Sequence, residues 1–356
     1  MMKKRIETLD ALRGIAAMLV VFHHVFAFYS TEIQEACSDW IFSLAVFLSE
    51  LNFLAVLFFF ILSGFSIALS LNTKSTFDWK KYGARRAKRI LPIYFLALAL
   101  AGFIGLFVPG VEVDIVDLIG NVFFLQSPES GSHWVAPFAG NGPLWSLSFE
   151  AWFYVITPFL LRRLMSTRVN NAPLILFGSL FVSVVCIGLN SVVFVPFLLF
   201  QSYYFVWLTG FLLHRAVNEE SNRNFKLFLF SLIATMCSLL IMSHWLESDT
   251  LNALLQGNVL AIAFSMFVSF GISRNVKWFF QLPRFLRSLK YIGEGSYALY
   301  ALHMPLLILA SHLHVPFVMM LFGWMGLVVG CYFLETAIIA YFRERSKSSA
   351  ARTISD

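Results

Sequence analysis

Long apolar runs alternate with short polar ones along the whole chain, and most of the apolar runs are about 18 to 25 residues long. A segment that leaves water must satisfy its backbone N–H and C=O groups internally, so runs of this length predict membrane-crossing helices. Ten are expected, over about 10–29, 52–72, 91–108, 144–161, 174–192, 197–214, 226–246, 252–273, 294–312 and 315–342. The fold class that follows is an all-α polytopic membrane protein. One further apolar stretch, Asp114–Gln126 (DIVDLIGNVFFLQ), is too short to cross and is expected to form an interfacial or re-entrant helix on the outer face. Ser127–Pro143 is rich in Gly, Pro and Ser and predicts an outer loop. No internal repeat interrupts the series, so one integral membrane domain over residues 1–345 is expected, followed by a disordered cytoplasmic tail from Ser346 to Asp356.

Composition agrees with this pattern. The chain is 59% hydrophobic and 13% charged, whereas soluble domains carry about a quarter charged residues. Charge then adds an orientation. With both termini on the cytoplasmic side, all 26 Lys and Arg fall in six cytoplasmic segments: Met1–Arg13, Lys74–Arg89, Arg162–Arg168, Arg215–Lys226, Arg274–Lys290 and Arg343–Arg352. The outer segments hold no Lys or Arg, yet they carry Glu32, Glu35, Asp39, Glu112, Asp114, Asp117, Glu129, Glu247 and Asp249. Positive charge concentrated on one side is the usual mark of the cytoplasmic face. The net charge of +6 therefore reports loops beside a lipid bilayer, and no nucleic-acid partner is expected. No small-residue cleavage site follows the first apolar run, so no cleavable signal peptide is expected. The four cysteines, Cys37, Cys186, Cys237 and Cys331, have neither metal-site nor C-x-x-C spacing. No metal site is expected. The sequence does not fix an oligomeric state, and a homo-oligomer stays open.

Within the apolar runs a few polar residues stand out. Arg13 and His24 are eleven residues apart in RGIAAMLVVFHH. On a helix that is about three turns plus 20°, so they share a face roughly 16 Å apart along the axis. His23 points about 100° away. One reading has Arg13 snorkelling to the headgroups and the histidines bonding to neighbouring helices. The other has them marking function, since ionisable groups inside a membrane are costly and histidine is the usual general base near neutral pH. In RRAKRILPIYF, Arg86 and Arg89 share a helical face at the cytoplasmic mouth of the third span. They read either as a positive-inside anchor or as a clamp for phosphate, whose oxygens match arginine forks. In GPLWSLSFEAWFY, Glu150 lies about two turns into the fourth span and is a candidate partner for a histidine or a substrate hydroxyl. Trp145 and Trp152 are either interfacial belt residues or a sugar-stacking wall. In GEGSYALYALHMP, His303 lies near mid-membrane with Tyr297 and Tyr300 on nearby turns. Glu335 in the last span is equally open between structure and function. Ser63-Gly64 in FFFILSGFSIA reads as a helix-packing site.

These five pieces, which follow the family's order along the chain from the N-terminus to about residue 312, resemble the acyltransferase family 3 of membrane proteins. The resemblance pairs Arg13 with His24 and implies that His24 rather than His23 is catalytic. It matches the family's Arg-x-x-Arg element to Arg86 and Arg89, its Trp-and-Glu element to Trp145 and Glu150, and its Ser-Tyr…His element to Ser296, Tyr297 and His303. Two departures weaken any subfamily assignment: the Gly-rich lead-in to the second span is missing, and Glu335 lacks the Arg-Pro that often follows. The resemblance implies transfer of an acyl group, usually acetyl, from cytoplasmic acetyl-CoA to a hydroxyl of an extracytoplasmic glycan such as O-antigen or exopolysaccharide. Acetyl-CoA enters as co-substrate, and no permanently bound cofactor is implied. Arg13, Arg86 and Arg89 are then expected to bind the donor. His24 is expected to act as base or to carry the acetyl group, with Glu150 orienting it or the acceptor. His23, Trp145, Tyr297 and His303 are expected in supporting or acceptor roles. Some members carry a fused hydrolase-like domain; this chain shows none, so a second transfer step is expected to need another protein. A bacterial inner (plasma) membrane is the expected location. The competing function is a proton-coupled transporter or flippase, whose pathway would also hold intramembrane His, Glu and Arg; a sensory or scaffold protein without chemistry is a third.

Overall fold

A computed structural model describes residues 6–71, 78–128, 135–166, 171–193, 195–218, 222–245, 248–273, 279 and 281–355. Among the described residues every regular element is helical. In chain order the α-helices are α1 (Glu7–Ala36), α2 (Asp39–Glu50), α3 (Asn52–Ser70), α4 (Trp79–Gly105), α5 (Ile115–Val122), α6 (Leu144–Ser166), α7 (Ala172–Val192), α8 (Pro196–Asn218), α9 (Asn222–Trp245), α10 (Asp249–Ser273), α11 (Arg287–Glu294), α12 (Ser296–His312) and α13 (Phe317–Ser355).

Among the described residues, eight stretches are long and apolar enough to cross a membrane: α1, α2 with α3, α4, α7, α8, α9, α10 and α13. The other two expected spans are also helices at the expected places, α6 and the 17-residue α12. Asp114–Gln126 holds the short α5, eight residues long, which spans about 12 Å and cannot cross. Asp114 caps it by accepting the backbone N–H groups of Val116 and Asp117 at 2.5 and 3.1 Å. Its outward residues Ile115, Val116, Ile119 and Phe123 are exposed, as on a helix lying against lipid. Its other side is tied down: the buried Asn121 amide donates to the Asp117 and Ala136 carbonyls and its Oδ1 accepts from the Phe138 amide.

Three details differ from the expectation. The first helix continues past residue 29 to Ala36, with non-helical dihedrals at Tyr29. The outer loop expected to follow it instead contains α2, a 12-residue helix with Asp39 in its first turn. At about 18 Å α2 is too short to span alone, which is why a length criterion passes over it. The tail expected to be disordered from Ser346 continues α13 to Ser355. Lys, Ala and Arg favour a helix, and no Gly or Pro interrupts that stretch. Of the charges that orient the chain, Lys3, Lys4, Arg5, Lys74, Glu129, Arg168, Glu247, Arg274 and Lys277 lie outside the described residues.

Two close helix crossings set the positions of the functional segments. Gly64 on α3 and Gly210 on α8 face each other so closely that a Cβ on Gly64 would overlap the Trp207 carbonyl, and one on Gly210 that of Ile61. This agrees with the packing expected for Gly64. Gly293 on α11 lies directly on the Asp10 carbonyl of α1. That crossing sets the start of α12, with Ser296 and Tyr297, beside Arg13.

Candidate active site

Two cavities hold the expected site residues other than His303. The first is lined by Arg13 on α1, Ser63 and Ser66 on α3, Arg86 and Arg89 on α4, Glu150 and Tyr154 on α6, and Tyr297 on α12. The second is lined by His23 and His24 on α1, Asn52 and Phe53 on α3, and Trp145 on α6.

In the first cavity three guanidinium groups converge. Arg13 is held by the hydroxyl of Ser66 and lies 3.5 Å from the Asp10 carboxylate one turn away. Arg86 places its guanidinium carbon 5.9 Å from the Tyr82 ring centroid and 5.8 Å from that of Tyr154, so two aromatic faces orient the fork. Its buried Nε has no hydrogen-bond partner among the described residues. Arg89 lines the same cavity, and the carboxylate of Glu335 is near enough for their charges to interact. Glu335 is 3% exposed and accepts the backbone N–H of Ala298 at 3.3 Å, in the first turn of α12. Its part is therefore at least structural: it ties α13 to the start of α12.

Glu150 is engaged by Ser63, whose hydroxyl donates to Oε1 at 2.7 Å, and by the hydroxyl of Tyr154. Ser63 also accepts from the Trp207 indole at 3.2 Å. Glu150 thus lines the arginine cavity with Ser63 and Tyr154 as its partners; of its two expected roles, orienting His24 or orienting the acceptor, the first has no contact among the described residues. Sequence spacing allowed either, because a carboxylate two turns into a helix can face several neighbours. Tyr297 also lies with the arginines, its hydroxyl donating to the Ile90 carbonyl at 3.2 Å.

The group beside His24 is His303. His24 Nδ1 is 2.8 Å from the Val20 carbonyl and 3.4 Å from His303 Nε2. A carbonyl only accepts, so Nδ1 of His24 carries the proton. His303, fully buried, has its Nδ1 2.8 Å from the Tyr300 carbonyl and 3.2 Å from that of Leu299. By the same reasoning its Nε2 is bare and accepts from His24. The outcome is a defined tautomer: His24 keeps a lone pair on Nε2, the form a general base needs. His23 is turned to α2, with Nδ1 3.0 Å from Ser49 Oγ and 3.1 Å from the Ser49 carbonyl. The helix that the length criterion passes over is therefore what holds the second histidine.

Of the two tryptophans, Trp145 lines the histidine cavity, stacked on Phe53 at 6.4 Å and 23°. The indole of Trp152 donates at 2.9 Å to the Phe124 carbonyl and anchors the segment after α5. Residues that the sequence reading did not single out are Ser66, Ser146, Tyr154 and Asn52. The signal for some of them was present. Ser63 and Ser66 are three apart on one helix face, and Tyr154 is one turn from Glu150.

Comparison with known proteins gives a concordant result. The acyltransferase domain family matches residues 6–342. The chain is similar to "Putative acetyltransferase ORF330" of Acidianus two-tailed virus, 31% identical over 44% of this chain and 41% of that one. It is similar to the exopolysaccharide production protein ExoZ of Rhizobium meliloti (strain 1021), 31% identical over 28% of this chain and 31% of that one. It is also similar to the acyltransferase MdmB of Streptomyces mycarofaciens, 30% identical over 44% of this chain and 40% of that one. These alignments span less than half the length of each relative. No solved structure matches.

Proposed function

The chain belongs to the acyltransferase domain family, and from that membership and the two cavities we propose that it is a membrane O-acyltransferase, moving acetyl from cytoplasmic acetyl-CoA to a hydroxyl of an extracytoplasmic polysaccharide. The observation that carries the reading is that Arg13, Arg86 and Arg89, from two separate helices, line one cavity, with a buried Arg86 N–H that has no partner among the described residues. Such a cluster suits a multiply charged phosphate donor, because each guanidinium offers paired N–H groups to phosphate oxygens. Positive charge on one side of the chain supports placing both termini, and this cavity, at the cytoplasmic face. The match to ExoZ, an exopolysaccharide production protein, supports a polysaccharide acceptor, and the acetyltransferase match supports acetyl. A bacterial inner membrane fits the match to ExoZ of Rhizobium meliloti. Coenzyme A would lie with its phosphates on the three arginines and its thioester arm extended toward the histidine cavity.

In this reading Nε2 of His24 takes the proton of an acceptor hydroxyl. The hydroxyl oxygen attacks the thioester carbon, the C–S bond breaks, and the products are the ester and the free thiol. His303 is a positioning residue: it shares the proton on His24 Nδ1 and steadies the imidazolium that forms. Glu150 positions the donor side, holding Tyr154 beneath Arg86. Trp145 offers a stacking face to a sugar ring in the histidine cavity.

The donor site is tested by binding of acetyl-CoA to purified protein. An arginine–phosphate contact is a charge-assisted bond, so Arg86→Ala should weaken binding roughly ten- to a hundredfold. Unchanged affinity in both Arg86→Ala and Arg89→Ala would remove the arginine clamp from the account.

A further inference from the structure

One residue belongs to both cavities. Tyr300 lines the arginine cavity and the histidine cavity. Its hydroxyl is 2.7 Å from Ser146 Oγ. Ser146, on α6, lines the arginine cavity, and Pro143, whose carbonyl accepts from Ser146 at 3.3 Å, lines the other. Phe59 of α3 closes the third side with its ring edge-on to Tyr300 at 5.8 Å. Tyr300 and Ser146 are each 4% exposed.

The order along α12 fits a boundary. Tyr297, Tyr300 and His303 recur every three residues and follow one another along one side of the helix, about 4.5 Å apart in rise. The first faces the arginines, the last touches His24, and Tyr300 stands between them. Its own carbonyl holds His303 Nδ1 at 2.8 Å.

We propose that the Tyr300–Ser146 pair is a septum between a donor chamber and an acceptor chamber, opened by turning the Tyr300 side chain when the thioester arm enters. This rests on the acyl-transfer reading for what passes through, but not for the seal itself. If the septum stood open, water could reach the thioester carbon from the histidine side. Attack by water would break the C–S bond and release acetic acid and free thiol without transfer. An open septum would also join two cavities within one membrane protein. A single neutral hydrogen bond suits the task, because it is weak enough to be exchanged for contacts with an incoming chain.

The test uses the full chain in proteoliposomes with an imposed pH difference and an entrapped pH-sensitive dye. Tyr300→Ala should raise the proton leak several-fold over wild type. Tyr300→Phe and Ser146→Ala, which keep the bulk and lose only the bond, should give smaller rises that do not add in the double variant. In parallel, free thiol released from acetyl-CoA without acceptor should rise several-fold in Tyr300→Phe at unchanged KM for the donor. Leak and thiol release at wild-type levels in folded Tyr300→Phe and Tyr300→Ala would overturn the septum. If wild type fails to bind acetyl-CoA, the acyl-transfer reading falls while the leak still decides the septum.

Discussion

His24 has two ring nitrogens, and its surroundings give them different work. Nδ1 is committed to Val20 and His303, which leaves Nε2 facing the cavity with a lone pair. This pairing predicts how His303 variants behave. His303→Ala should lower kcat roughly tenfold or more while KM for acetyl-CoA stays near wild type, because the lost contact is to a base rather than to the donor. His303→Gln, whose amide oxygen can still accept from Nδ1, should recover part of the loss. Equal loss in both variants, or a rise in KM instead, would make His303 purely structural. The residue level was partly legible in the sequence. The Arg13–His24 and Arg86–Arg89 pairs share helix faces by spacing alone, and each ends in one cavity. Which helix met which was not legible. Glu150 meets Ser63 across 87 residues of sequence, and His303 meets His24 across 279. Side-chain partners from distant segments have no local pattern to reveal them.

At the scale of helices, the apolar runs located the long elements well, because a bilayer imposes a length that composition must obey. The same criterion passed over α2, a short apolar helix beside the histidines, and the extension of α1 beyond Tyr29. Both are held by local contacts, α2 through Ser49 to His23 and the end of α1 through Tyr29 and Glu32 to the start of α13, where span length sets no rule. Packing between helices yields its own prediction. Gly293 of α11 rests on the Asp10 carbonyl, next to Arg13. A methyl group there forces α11 and α1 apart, so Gly293→Ala should cost at least ~2 kcal/mol, seen as a lower unfolding temperature in detergent. Donor affinity should fall with it, because Arg13 and Tyr297 flank the crossing. An unfolding temperature equal to wild type would show that the crossing tolerates the added carbon.

For the whole molecule, the account joins two chambers to two sides of a membrane. In the proposed reading, the basic residues gathered in alternate connecting segments put the arginine chamber at the cytoplasm and the histidine chamber toward the outside. Reporter fusions that are active only outside or only inside the cell check this: fusions after Asp356 should report the cytoplasm, and insertions at Gly110 the outer side. The reverse result would exchange donor and acceptor faces. The most direct measurement is of acyl transfer itself. Cells carrying wild type or His24→Ala would be grown on isotopically labelled acetate, and base-labile esters on their surface polysaccharide measured by mass spectrometry. The account predicts label with the wild type and its loss in the variant at equal membrane protein level. Label that persists undiminished in His24→Ala would contradict it.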